Sequence, residues 1–219
     1  GGDTTRAPGP MVISATVIGS VPSGTAVRRA GAKPGDALLV TGTIGDATLG
    51  LDIVLGQETG RKVSAATGEA IWHWEQAYYR PQPRIALRRL LRAHASAALD
   101  VSDGLIADAG HLAKASDVAL EIDVDAVPLS TSTQMWLAAQ DERKVGLSRL
   151  LTGGDDYEIL CTVSQASVDT FISGAARLGI PVTQIGHVGH GSASADRRVR
   201  PRDSSGLVWD FEVAGYQHF

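Results

Sequence analysis

The chain has 219 residues, 43% of them hydrophobic and 20% charged, and a formal net charge of −4. This is the composition of a soluble globular protein long enough to bury a core without staples. The negative balance argues against a nucleic-acid surface but not against a phosphorylated small molecule bound with Mg²⁺. No apolar run is long enough to span a bilayer, and the N-terminus lacks the charged and apolar regions of a signal peptide. The single cysteine, Cys161, excludes an intrachain disulfide and fits a reducing cytoplasm.

In chain order, Met11 to Ile18 mixes β-branched and apolar residues and predicts a strand. "GAKPGD" is a turn, and "ALLVTG" reads as a short buried strand. Asp46 to Leu55 carries apolar residues at helical spacing, and Val63 to Tyr79 predicts a second helix. The prolines of "RPQPR" end it. Ile85 to His94 then reads as a basic amphipathic helix. "AALDVSDG" predicts strand, tight turn and helix start, with Leu105, Ile106, Ala109, Leu112 and Ala113 on one face of the helix that follows. Val118 to Val124 alternates like a strand. Ser130 to Leu151 reads as mostly helical, Tyr157 to Val163 as a strand, Gln165 to Leu178 as a helix and "VTQIGHVG" as a strand. His190 to Ser205, rich in Gly, Ser, Asp and Arg, predicts an exposed hairpin loop. Strands and helices intermix without a dividing linker, so the fold class is α/β (α+β): a mixed sheet flanked by helices.

Three clusters place acids beside glycine or a hydroxyl: "GGDTT" at the start, "LDVSDG" and "TGGDDYE". In the second, Asp100 and Asp103 flank Ser102 around a strand-to-helix turn. Such a turn can direct two carboxylates and a hydroxyl to one point. Mg²⁺ typically takes one or two carboxylates, with waters and substrate phosphates as its other ligands. The alternative for this turn is helix capping by Ser102 or Asp103. Recurrence of the same chemistry three times favours function. "GTIGDATLG" lacks the P-loop pattern and reads as a structural turn. The six histidines form no HExxH pattern, and Ser102 has no GxSxG context.

Taken together, "GGDTTRAP", "RRAGAKPGD", "VTGTIGDATLGL", "RPQPR", "ALDVSDGLIADAGHLAKAS", "LTGGDDYEIL" and the terminal "GYQHF" resemble, in order and along essentially the whole chain, bacterial thiamine-phosphate kinases. These belong to the wider superfamily of aminoimidazole ribonucleotide synthetase-like enzymes. The resemblance implies ATP-dependent phosphorylation of thiamine phosphate to thiamine diphosphate, with several Mg²⁺ ions. It makes residues 1–10 an inter-domain junction motif and residues 11–219 a C-terminal α/β domain. The family's acid-bearing N-terminal domain, which supplies much of a homodimer interface, is absent from the chain. By the same resemblance, Gly2, Asp3, Arg29 and Ser102 contact ATP, and Asp3, Asp100 and Asp103 hold Mg²⁺. Asp155 stands where many members have Glu and contacts thiamine phosphate with a shorter reach. An aromatic that stacks on the substrate is assigned to Trp209 or Phe211, since Val213 stands at the ungapped position. No separate catalytic base is implied, because the acceptor is already a phosphate oxygen. The expected setting is cytoplasmic, with no nucleic-acid or membrane partner.

Two alternatives remain at this point. One is another Mg–ATP enzyme of the superfamily, such as aminoimidazole ribonucleotide synthetase or selenophosphate synthetase. The other is a non-catalytic nucleotide-binding domain, which the missing N-terminal acids motivate; on the kinase reading the same lack predicts that these residues alone are inactive.

Overall fold

A computed structural model describes residues 9, 13, 15–57, 67–191, 198–211 and 215. Six strands form one mixed sheet: β1 (Asp36–Thr41), β2 (Ala95–Val101), β3 (Val118–Asp123), β4 (Glu158–Ser164), β5 (Val182–His190) and β6 (Val199–Arg202). Their order is β2-β4-β1-β5-β3-β6. All neighbours pair antiparallel except β3 and β6, which run parallel. Every residue of β1 is buried, as expected of an inner strand covered on both faces.

The side-chain alternation of a strand splits the core in two. Leu38, Val40 and Leu160 point into the larger half. There they meet helices α1 (Asp46–Val54), α2 (Gly68–Tyr79), α4 (Leu105–Ser116), α5 (Thr131–Ala138) and α6 (Arg143–Thr152). Ala37, Leu39, Cys161 and Val163 point to the opposite face. That face is covered by α3 (Arg88–His94) and α7 (Val168–Arg177), through Leu90, Leu91 and Phe171. The predicted face of α4 packs as its spacing requires: Leu105, Ile106, Ala109, Leu112 and Ala113 are all buried. Local chemistry sets several helix starts. Thr67 accepts a hydrogen bond from the Ala70 N–H, and Ser130 from the Thr133 N–H, each at the N-cap.

Two expectations are corrected. Within 11–18, residues 13 and 15–18 are not in a strand, and Ile13, Val17 and Ile18 are exposed. β propensity alone does not make a strand where no neighbour offers a ladder of hydrogen bonds. Residues 190–205 are not simply an exposed hairpin loop. Val199–Arg202 form β6, which pairs with β3 rather than with its sequence neighbour β5. The stretch 130–151 is mostly helical as read, in two helices, α5 and α6.

The order of the sheet positions the site. β1 and β2 both run antiparallel to β4, which lies between them. The loops that leave β1 and β2 and the loop that enters β4 therefore share one end of the sheet.

Candidate active site

The loop entering β4, "GGDDY", is stitched to the turn after β2 by backbone bonds. The Asp155 N–H donates to the Ser102 carbonyl at 3.0 Å, and the Tyr157 N–H to the Val101 carbonyl at 2.8 Å. Asp155 (φ 70°) and Tyr157 (φ 50°) both take left-handed conformations, which are uncommon for residues with a side chain and mark a strained, over-determined loop. The approach is close enough that a Cβ on Gly154 would lie 2.3 Å from the Ser102 carbonyl oxygen. Two of the three acidic clusters seen in the sequence are thus one place in the fold.

Asp156 faces the other way. Its carboxylate accepts from the N–H groups of Gly45 (2.9 Å) and Ala47 (3.3 Å) at the start of α1. Burial there pushes its pKa well above the usual carboxylate range, against those two bonds. The donors of the "GTIGDATLG" turn are therefore taken by the protein's own acid, and the turn is structural. The neighbouring Glu158 is buried and paired with Arg84 of "RPQPR".

Gly104 is the N-cap of α4 and has no side chain with which to cap it. Asp108, one turn inside the helix, reaches back instead. Its Oδ2 accepts from the N–H groups of Ser102 and Asp103, each at 2.9 Å. Asp108 is buried, and burial raises its pKa in spite of those two bonds.

Tyr157 donates its hydroxyl to Asp155 Oδ1 at 3.4 Å. Its phenol is shifted up, first by burial and then by the negative charges of Asp155, Asp100 and Asp103. His111 Nε2 lies 3.8 Å from Asp103 Oδ2. One ligand atom from each of Asp103, Asp108 and His111 falls within 4.8 Å of the others. The carboxylate oxygens at this end of the sheet match the hard donors that Mg²⁺ prefers. His111 fits Mg²⁺ less well, since that ion selects oxygen.

Of the other predicted residues, Ser102 is partly buried at the same turn. Arg29 is exposed, and its carbonyl accepts from the Ser116 hydroxyl at 3.1 Å. Ser116 ends α4, so its position is removed from Asp103 by the length of a 12-residue helix, about 18 Å. Trp209 is buried (4% exposed), and its indole N–H donates to Asp203 at 3.0 Å. Phe211 is only partly buried and stands 6.3 Å from Trp209. Both line a cavity of about 510 Å³ with Ala107 and Lys114 of α4. Gly215 joins this wall to the acidic turn, because a Cβ there would meet the Asp103 carbonyl oxygen and the Ala107 side chain. Gly2, Asp3 and Val213 lie outside the described residues.

Sequence reasoning missed Tyr157 and Asp108. The only signal was spacing: Asp108 and His111 are three apart on one helical face, and Tyr157 sits inside an acidic motif. A second polar nest was also missed. Asp46 accepts from Ser130 (2.6 Å), Thr133 (2.5 Å) and Thr43 (2.6 Å), and lies 3.2 Å from His73. It borders a separate cavity of about 420 Å³ between α1 and α2.

Comparison with known proteins shows the family and the fold. The family described as AIR synthase related protein, C-terminal domain, matches residues 33–196. The thiamine-monophosphate kinase of Caulobacter vibrioides is 44% identical over 210 residues, which is 95% of this chain and 57% of that protein. The crystal structure of thiamine-monophosphate kinase from Stenotrophomonas maltophilia superposes with a TM-score of 0.70 at 36% identity, covering 83% of this chain and 54% of that one. AaThiL, solved as a complex with AMPPCP and TMP, superposes with a TM-score of 0.69 at 31% identity, covering 88% of this chain and 54% of that one. The chain spans 57% and 62% of the lengths of the first two curated relatives. No helix among the described residues is long and apolar enough to cross a membrane.

Proposed function

The chain belongs to the AIR synthase related protein family, through that family's C-terminal domain, and from that premise we propose that it forms part of an ATP-dependent kinase converting thiamine phosphate to thiamine diphosphate. The observation that carries this reading is the stitching of the Asp155 loop to the turn that bears Asp100, Ser102 and Asp103, at one end of the sheet. The sequence relatives supply the substrate: they are thiamine-monophosphate kinases. The AMPPCP and TMP of the AaThiL complex fit a reaction between a nucleotide triphosphate and a phosphate acceptor.

Transfer between two phosphorylated molecules is opposed mainly by repulsion of polyanions and by loss of alignment, and little covalent chemistry is left to side chains. Mg²⁺, when bound, neutralises phosphate charge and templates the in-line geometry. Asp100 and Asp103, with Asp3, are the residues that hold it. Ser102, Gly2 and Arg29 contact the nucleotide, and the exposed position of Arg29 leaves its guanidinium available to a phosphate. Asp155 orients thiamine phosphate. Of the two aromatic candidates we assign the stacking surface to Phe211, because the Trp209 ring is spent on the core and its N–H on Asp203. The remaining metal-holding acids, and a homodimer interface, belong to the part of the relatives that this chain does not span. A cytoplasmic setting follows from the substrates and from the buried, reduced Cys161.

The test is a coupled assay of ADP release and thiamine diphosphate formation, on residues 1–219 alone and together with the upstream segment. We expect turnover only with both. Conversion of an aminoimidazole precursor without thiamine diphosphate formation would overturn the assignment, and full activity from residues 1–219 alone would overturn the division of ligands.

A further inference from the structure

Resting on the kinase reading, we propose that Asp108 is a positioning residue. Its carboxylate holds the backbone of Ser102 and Asp103 in the place from which their side chains serve nucleotide and metal. A strand-to-helix turn leaves free N–H groups at the helix start, and Ser or Asp at that point ordinarily folds its own side chain back to satisfy them. In this chain Gly104 occupies the N-cap, at φ 116°, and offers no side chain. Asp108 instead reaches back past the N-cap to the Ser102 and Asp103 amides of the turn itself, with one oxygen 2.9 Å from both. The acid is buried, so these bonds are made in a setting where charge-assisted hydrogen bonds are strong and losing the acceptor is costly.

The consequences reach beyond the turn. The Ser102 carbonyl accepts the Asp155 N–H, so the position of Ser102 also sets that of the "GGDDY" loop. Gly104 cannot shift to compensate, because a Cβ there would stand 2.7 Å from the Thr152 carbonyl oxygen. One buried carboxylate thus fixes two acid-bearing loops relative to each other. Nothing in this role asks Asp108 to touch a ligand.

The test uses the full-length protein with Asp108→Asn and Asp108→Ala. Asparagine keeps an oxygen that can accept but drops the charge, whereas alanine removes the acceptor. Groups that orient metal ligands are typically worth 10- to 100-fold in metal affinity. We expect the Mg²⁺ concentration for half-maximal turnover to rise about 10-fold or more in Asp108→Ala, and less in Asp108→Asn. KM for thiamine phosphate should rise as well, since the Asp155 loop takes its position from the Ser102 carbonyl. Hydrogen exchange provides the readout that needs no turnover. The Ser102 and Asp103 amides should be protected in the wild type and lose protection in Asp108→Asn, with the rest of α4 unchanged. If Asp108→Ala does not fold, Asp108→Asn and the exchange measurement carry the test. A folded Asp108→Asn with wild-type exchange at both amides overturns the proposal, as does a folded Asp108→Ala with the wild-type Mg²⁺ requirement. If the wild type makes no thiamine diphosphate, the kinase reading fails separately. The exchange data, with calorimetric Mg²⁺ binding in the presence of a non-hydrolysable ATP analogue, still decide whether Asp108 holds the turn for a ligand.

Discussion

Arg84 and Glu158, 74 positions apart, form a two-pronged ion pair: the Arg84 Nε donates to Glu158 Oε2 at 2.7 Å, and a second guanidinium nitrogen donates to Oε1. The pair joins the "RPQPR" turn to the first residue of β4, directly beside the acidic loop. Glu158 is buried and also accepts from the Thr41 hydroxyl at 2.5 Å. Removing one partner of such a pair strands the other charge. We expect Arg84→Ala to destabilise the fold by about 3 kcal/mol. Adding Glu158→Gln should recover part of that loss. Urea unfolding of the two variants checks this, and equal stabilities for the single variant and the wild type would contradict it.

Asp100→Asn and Asp103→Asn each keep the size of the side chain and remove a negative charge. On the metal reading each should abolish turnover in the full-length protein while leaving the melting temperature near that of the wild type. The N-cap of α4 is Gly104, and asparagine at 103 keeps an oxygen able to accept from a backbone N–H. The check is turnover at saturating Mg–ATP beside a thermal melt, and wild-type turnover would reject the metal role.

The Asp46–His73 pair has a defined pH signature. The Asp46 carboxylate 3.2 Å away raises the pKa of His73 above its ordinary 6.5, outweighing burial. Its stabilisation is therefore fully present below pH 6.5 and is lost as pH rises through the elevated folded value. On Asp46, burial is outweighed by the neighbouring His73 and by hydrogen bonds from Ser130, Thr133 and Thr43, so its pKa falls below 3.8. That stabilisation is present above pH 3.8 and disappears as pH drops through the lowered value. Melting curves of the wild type and His73→Gln between pH 5.5 and 9 should differ most at the acidic end and converge toward the alkaline end. A difference that grows with pH would have the wrong sign.

Gly154→Ala tests whether contact between the two acidic loops matters to function. The added methyl would sit 2.3 Å from the Ser102 carbonyl oxygen, so the loops must separate. We expect at least a 10-fold loss of kcat/KM, since misplacement on the order of 1 Å can cost 10²-fold. Stability should fall by roughly 1–3 kcal/mol, as for overpacked sites. Steady-state kinetics with a parallel melt separate the two effects.

Much of the fold was legible in the sequence because its signals are local. The apolar spacing of Leu105 to Ala113 fixes the buried face of α4, and Thr67 and Ser130 carry their capping oxygens in their own side chains. The motif residues Asp100, Ser102, Asp103 and Asp155 were legible as a group because each stands beside glycine or a hydroxyl at a turn. What each acid does was not legible. Asp155 and Asp156 are adjacent and chemically identical, yet one faces the acidic turn and the other is buried against the start of α1. Asp108 looks like an ordinary first-turn helix acid until its distance to two amides is known. Strand pairing was equally hidden. Val199–Arg202 became β6 because β3 had an edge to offer, whereas the more apolar residues 13 and 15–18 found none among the described strands. Sequence determined which residues carry charge and which turns they occupy, because composition and periodicity act over a few residues. The tertiary structure alone decided which acid-bearing loops meet and which acids are consumed as clamps, because burial and backbone donors come from segments far apart in the chain, 111 positions in the case of Gly45 and Asp156.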